Sequence, residues 1–163
     1  SQETRSNGLF MQQRVGRYGE LFHVYKIKTM RQVDGVDTTI TKAGDVRITR
    51  SGRFYRNTKI DELPQLWNVL IGKMSFVGPR PDVPGYADRL SGDDRIILTV
   101  RPGITGPASL EYKDEEGLLS RQDDAKTYND TVIWPDKVRI NVDYINNWTF
   151  LKDLRYIVAT IIG

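Results

Sequence analysis

The sequence predicts an α/β (α+β) protein: a mainly helical single domain with a small N-terminal β-hairpin or sheet. Three observations carry this prediction. Two runs, Leu9 to Val15 and Leu21 to Ile27, flank the turn Gly16-Arg17-Tyr18-Gly19, which is how a hairpin reads. Later segments place their apolar residues three and four apart, the helical period. The chain has 163 residues and 39% hydrophobic composition, enough for one domain with a core of its own.

Composition narrows the chemistry. There is no cysteine, which excludes disulfides, thiolate nucleophiles and cysteine metal sites. His23 is the one histidine, so a histidine zinc cluster is impossible. Acid-base or nucleophilic work must come from carboxylates, lysine, tyrosine or hydroxyls. A net charge of +3 suits anionic substrates or an anionic membrane surface. It lacks the dense basic face of nucleic-acid binders, so no nucleic-acid partner is expected. No stretch approaches the roughly 20 apolar residues of a membrane span. No signal peptide is read in the residues that precede the hairpin, and none is expected there. Residues 1–8 are a polar lead, read as a cut point or loop, and residues 9–163 as the domain.

Taken in order, the hairpin carries apolar groups on both faces and should pack against another element. His23 reads as a half-buried strand residue rather than a catalyst. Met30 to Val46 is polar with turn signals and reads as a mobile loop, either a flap over a substrate site or a surface excursion. Thr49 caps a short helix reaching about Asn57. Arg47, Arg50, Arg53 and Arg56 recur every third residue and form a basic strip. A central helix starts near Asp61, because Pro64 is best tolerated in a first turn. Thr58 is the alternative cap. Leu63, Leu66, Trp67 and Leu70 form its core face, and Gly72 is its C′ residue.

Met74 to Asp82 is a short strand or extended segment running into Gly78-Pro79-Arg80-Pro81, which carries the Arg80 guanidinium on a stiff backbone. Ser91 to Asp94 starts another helix. Arg101-Pro102-Gly103 reads as a type II turn. Glu111 to Asp124 is acidic and reads as a surface helix with a loop. Pro135 opens a helix with Val138, Val142 and Ile145 on one side. A last amphipathic helix from about Thr149 carries Phe150, Leu154, Ile157, Val158 and Ile161, and docks on the core or lies on a membrane.

The stretch that organises this chain is Lys59-Ile60-Asp61-Glu62-Leu63-Pro64. Acids at a helix start are common, favoured by the macrodipole by roughly 0.3–1 kcal/mol, and alone read as structural. Three neighbouring features add a functional reading. The basic strip and two rigid arginines offer bidentate phosphate contacts. Cations and a helix N-terminus keep a carboxylate ionised. A carboxylate can hold Mg²⁺ whose other ligands are waters and substrate phosphates. Adjacent helical residues point about 100° apart, which suits Asp61 and Glu62 to different tasks, one attacking phosphorus and one binding metal. No Walker-type loop is present.

These residues resemble a known family. Lys59 through Leu70, then Gly72-Lys73-Met74-Ser75-Phe76-Val77-Gly78-Pro79-Arg80-Pro81, then Val100-Arg101-Pro102-Gly103-Ile104-Thr105-Gly106 closely resemble the bacterial sugar transferases. These are the monotopic phosphoglycosyl transferases of the polyisoprenyl-phosphate hexose-1-phosphate transferase type. Gln13 to Gly16 and Tyr25 to Met30 are similar to the family's first hairpin. The resemblance implies transfer of a sugar-1-phosphate from a UDP-sugar to a polyprenyl phosphate, normally undecaprenyl phosphate, with release of UMP. It implies Asp61 as the residue that forms the covalent phospho-sugar intermediate and Glu62 as the Mg²⁺ ligand. Lys26, Arg56 and Arg80 match family positions near the phosphates, and Arg101 is grouped with them. The implied setting is the cytoplasmic face of the bacterial inner membrane, in capsule, O-antigen or other glycoconjugate synthesis.

Two departures stand out. Family members carry an apolar re-entrant membrane helix before the hairpin; this sequence shows none, so the chain is expected to be a truncated soluble portion. Ala108-Ser109-Leu110-Glu111-Tyr112-Lys113 and the acidic segment after it replace the small-Gln-Val-Asn-Gly-Arg pattern of shorter members. Two rival functions remain from the residues alone: a Mg²⁺-dependent phosphohydrolase, and a non-catalytic membrane-surface docking module.

Overall fold

The computed structural model describes residues 8–31, 41 and 44–162. Its elements run β1 (Leu9–Val15), a short 3₁₀ connection (Arg17–Gly19), β2 (Leu21–Ile27), α1 (Arg50–Thr58), a 3₁₀ turn (Ile60–Glu62), α2 (Gln65–Leu70), β3 (Ser75–Val77), two further 3₁₀ segments (Ala87–Arg89 and Gly92–Thr99) and β4 (Gly103–Thr105). Then come α3 (Pro107–Glu111), α4 (Glu115–Ser120), α5 (Ala125–Tyr128), a π-turn (Asn129–Ile133), α6 (Trp134–Asn146) and α7 (Phe150–Ile162). This is the mixed, mainly helical domain with an N-terminal hairpin that the sequence predicts. Most of the loop expected over Met30 to Val46, and most of the polar lead, lie outside the described residues.

β1 and β2 pair antiparallel, from Leu9 opposite Ile27 to Val15 opposite Leu21. β2 turns Phe22 and Val24 inward onto Met74, Val69 and Ile104. His23, on the alternate face, is exposed rather than half-buried. Thr49 caps α1 as expected, its hydroxyl oxygen accepting from Gly52 N at 2.9 Å. The same hydroxyl donates to Thr29 O at 3.1 Å, and a Cβ on Gly52 would stand 2.1 Å from that carbonyl. Only glycine lets the first turn of α1 sit this close to the chain leaving β2.

β3 and β4 are a parallel pair that brings the two Pro/Gly segments together. Gly78 N donates to Thr105 O at 2.9 Å and Gly103 N to Pro79 O at 2.8 Å. Added Cβ atoms would stand 2.2 Å from Gly78 N at Gly103 and 2.4 Å from Gly78 O at Gly106. Gly103 therefore opens a strand; the expected type II turn does not form, and its φ is not left-handed. Val15 N donates to Asp82 O at 2.9 Å, tying the hairpin to the segment that carries Arg80.

A second cluster joins Val15, Ala87, Ile97 and Leu98 to Trp134, Val142 and Ile145 of α6. Pro135 stands in the first turn of α6 and Val138 is buried, as expected. A third cluster holds Leu119, Ala125 and Ile133.

Two further expectations are corrected. The central helix is split: Ile60–Glu62 is a 3₁₀ turn and α2 begins at Gln65. Its apolar stripe does not face the core. Trp67 is 57% and Leu70 78% exposed, whereas Gln65 and Asn68 are buried. The reason lies in what α2 packs against. Asn68 Nδ2 donates to His23 O at 2.8 Å and its Oδ1 accepts from Tyr25 N. The helix thus turns a polar side to the backbone edge of β2, whose groups need partners once buried. Gly72 does end this helix, with φ +74°. In α7 no residue is buried; the helix is held by Tyr156 against Tyr144, ring centroids 5.8 Å apart, and by a 2.6 Å hydroxyl contact between Thr160 and Thr105.

Candidate active site

The site is assembled where α1, the 3₁₀ turn, β2 and the loop after β3 converge. Lys59 leaves α1 in the left-handed region, φ +58°, a conformation uncommon outside glycine. It swings the chain sharply into Ile60–Glu62, so Asp61 turns inward and is 6% exposed. Oδ1 of Asp61 is buried without a hydrogen-bond partner. Burial, with the neighbouring Glu62 charge, pushes the Asp61 carboxyl up; Lys26, Arg56 and Lys59 oppose this.

Glu62 is held differently. Lys26 Nζ is 3.3 Å from its Oε1, Arg80 Nη1 donates to Oε2 at 3.3 Å, and Arg80 Nη2 donates to Oε1. Burial alone would raise this carboxyl, but Arg80 and Lys26 together hold it well below the usual carboxylate range. Lys26 comes down to about 8, through burial first and the Arg80 charge second, with Glu62 opposing. The two acids are thus electrostatically distinct: one tightly ion-paired, the other poorly solvated and unbonded at Oδ1.

Of the basic strip, Arg56 bears on Asp61. It is also ion-paired with Glu116 on α4. Arg47 forms a bidentate pair with Asp45, and Arg50 and Arg53 are exposed. The strip therefore divides instead of acting as one surface. Arg101 does not join the cluster either. It is exposed, and its guanidinium lies beside Gly72, where a Cβ would meet Nη2 at 3.8 Å, at the opposite end of α2 from Asp61.

Several charged groups at the site carry no motif signal in the sequence. The acidic segment forms α4 at the surface, as expected, and its charges reach inward: Glu115 pairs with Lys137 of α6 at 2.6 Å and Glu116 with Arg56. Behind Arg80 lie Arg14, which donates to Gln12 Oε1 at 2.6 Å, and Asp82, which burial pushes up to about 6 against the pull of Lys137, Arg14 and Arg80. Gln65 is 2% exposed, and its Nε2 lacks a partner. The signal for Gln65 and Asn68 is the polar series Asp61, Gln65, Asn68, spaced i, i+4, i+7 opposite the apolar stripe.

No group of three or more His, Asp or Glu side chains among the described residues could hold a metal unaided. The donors present are the hard carboxylate oxygens of Glu62. That set fits Mg²⁺ in its common protein mode, one or two carboxylates completed by water and substrate phosphates.

A family model described as bacterial sugar transferase matches residues 2–163. The chain belongs to the bacterial sugar transferase family. It is 35% identical over 163 residues to the UDP-glucose:undecaprenyl-phosphate glucose-1-phosphate transferase of Caulobacter vibrioides, covering 98% of this chain and 57% of that protein. A Xanthomonas campestris protein of the same name is 36% identical over 156 residues, 93% of this chain and 30% of the relative. The undecaprenyl-phosphate galactose phosphotransferase of Salmonella typhimurium is 34% identical over 175 residues, 96% of this chain and 33% of the relative. The sugar transferase chain thus spans a little over half of one relative and about a third of the other two. Relatives named for glucose and for galactose match it almost equally, so identity does not choose the sugar. Neither rival function gains support from them.

Proposed function

We propose that residues 9–163 form a phosphoglycosyl transferase unit that moves a sugar-1-phosphate from a UDP-sugar to undecaprenyl phosphate through a covalent intermediate on Asp61. The observation that carries this reading is the pairing of a buried, unbonded Asp61 carboxylate oxygen with an adjacent Glu62 fixed by Lys26 and Arg80. The names of the relatives supply the donor and acceptor classes.

In the first step a carboxylate oxygen of Asp61 attacks the phosphorus that bears the sugar. The new O–P bond forms as the bond to the bridging oxygen breaks, and that electron pair leaves on UMP. In the second step an oxygen of the polyprenyl phosphate attacks the same phosphorus and returns the carboxylate of Asp61. Weak solvation of a buried carboxylate leaves it a better nucleophile than one in water. Arg56 and Lys59 lie on the Asp61 side to meet developing negative charge. Lys26 and Arg80, paired with Glu62 here, are the cations available to the donor diphosphate. Mg²⁺, held by Glu62, would neutralise charge on the diphosphate. Arg101, at the far end of α2, has no assigned part in either step.

The acceptor is a lipid, and the exposed apolar stripes of α2 and α7 supply a surface on which the unit would rest against the cytoplasmic face of the inner membrane. Leu70 is 78% and Ile161 78% exposed, and no described helix is long and apolar enough to cross a membrane. The direct test is intact mass after incubation with Mg²⁺ and a panel of UDP-sugars. An adduct of one sugar-phosphate with one donor, absent in Asp61→Asn and discharged by undecaprenyl phosphate with stoichiometric UMP, supports the reading. Turnover by Asp61→Asn at the wild-type rate overturns it.

A further inference from the structure

We infer that Gln65 is a positioning residue for Asp61: on rotation of its side chain, its amide donates to Oδ1, which is unbonded in this structure, and leaves Oδ2 as the attacking oxygen. The inference rests on the proposed nucleophilic role of Asp61. Three buried side-chain polar atoms among the described residues lack a partner, and two of them are Asp61 Oδ1 and Gln65 Nε2. One is an acceptor and the other a donor. Asp61 and Gln65 stand four residues apart, on either side of the junction between the 3₁₀ turn and α2, with Leu63 and Pro64 both in the right-handed helical region. Both side chains are buried on the inward side of this right-handed run, and a glutamine-to-carboxylate hydrogen bond is one of the pairs that a four-residue spacing forms.

The burial of both groups gives the pair its meaning. Asp61 is 6% and Gln65 2% exposed, so water is a poor substitute partner for either. A buried amide that merely filled space would be replaced at no cost by an apolar side chain of the same shape, because an unmet buried donor is unfavourable. Rotation about the glutamine χ angles is the motion that brings donor to acceptor. The effect on the reaction is geometric. A carboxylate free to spin about its Cβ–Cγ bond offers either oxygen in any direction. One tethered at Oδ1 presents Oδ2 along a single line, which is what an in-line attack on phosphorus needs. Asn68 does not compete for the role, since both ends of its amide are committed to β2.

The test uses two near-isosteric variants. Gln65→Met keeps the volume and leaves no orphaned donor, so it should fold. Gln65→Glu keeps the shape and loses the donor. With the UDP-sugar that labels the wild-type protein, both variants should form the Asp61 adduct about tenfold or more slowly. The KM for that donor should stay within about twofold, because the tether acts on the attacking group and not on donor binding. Adduct formation by Gln65→Met at the wild-type rate overturns the inference while leaving Asp61 as nucleophile. A rise in KM with kcat unchanged also overturns it, by showing a donor-binding role. Absence of any adduct in the wild-type protein across the donor panel overturns both the inference and the reading beneath it.

Discussion

Arg80 meets Glu62 with both ends of its guanidinium, Nη1 donating to Oε2 at 3.3 Å and Nη2 to Oε1. Such a fork fixes direction as well as charge, and a lysine cannot reproduce it. Arg80→Lys should therefore lower UMP release by about tenfold or more while leaving the fold intact. Arg80→Ala should lower it further. Initial rates of UMP release, with circular dichroism as the control, check this; equal rates for wild type and Arg80→Lys would show that charge alone suffices.

Asp61→Asn should separate activity from stability. Adduct formation should fall by on the order of 10³ or more, since the amide is a poor nucleophile. Burial raises the Asp61 carboxyl, so its ionised form is disfavoured in the folded state and a neutral isostere removes that cost. The melting temperature of Asp61→Asn should equal or exceed that of wild type. A large drop in melting temperature would mean that the carboxylate is held by bonds important to the fold.

Asp82 gives a pH signature away from the proposed metal ligand. Its pKa rises from 3.8 to about 6 in the fold, so between these values the folded state binds more protons than the unfolded state. Stability from this group is full below pH ~4 and is lost as pH rises through about 6. The loss at pH 7.5 is up to about 3 kcal/mol, because each tenfold difference in proton affinity between the two states is worth about 1.4 kcal/mol. Denaturant midpoints at pH 5 and 7.5 should converge in Asp82→Asn, and the variant should be the more stable protein at pH 7.5. A variant less stable at pH 7.5 would contradict this.

Gly103→Ala should be among the most damaging single-methyl additions. The added carbon would stand 2.2 Å from Gly78 N and 2.5 Å from Thr105 O, both backbone atoms with no rotamer to yield. Overpacking of this kind costs about 3 kcal/mol or more. Urea unfolding measures it, and a change below about 1 kcal/mol would show that β3 and β4 can separate freely.

The exposed stripes should matter for lipid and not for folding. Leu70→Gln with Ile161→Gln should change unfolding free energy by no more than about 0.5 kcal/mol per site. Sedimentation with vesicles containing anionic lipid should fall clearly. Unchanged vesicle binding would remove α2 and α7 from the membrane surface.

Features set by neighbouring residues are legible in the sequence. The bounds of β1 and β2 follow from short apolar runs on either side of a glycine-flanked turn, the start of α1 from Thr49, and the end of α2 from Gly72. Asp61, Glu62, Lys26, Arg56 and Arg80 stand out likewise, through an ordered set of motifs. What periodicity cannot supply is the identity of the surface opposite a helix. The stripe from Leu63 to Leu70 has the spacing of a core face, yet α2 turns Gln65 and Asn68 inward because β2 presents backbone polar groups there. The pairs Arg56–Glu116 and Lys137–Glu115 span 60 and 22 residues, and nothing local announces them. β3 and β4 have three residues each, too short for a pattern to show their pairing.

The grip of Asn68 on His23 O and Tyr25 N lies immediately before Lys26, and strand side chains alternate between faces. One residue inserted between Tyr25 and Lys26 would carry the ammonium to the opposite side of the sheet and strip Glu62 of a cation. Length changes among related chains should therefore collect in the Arg17–Gly19 turn and avoid the Tyr25–Lys26 junction, so that the hairpin can vary in size only at the end remote from the chemistry.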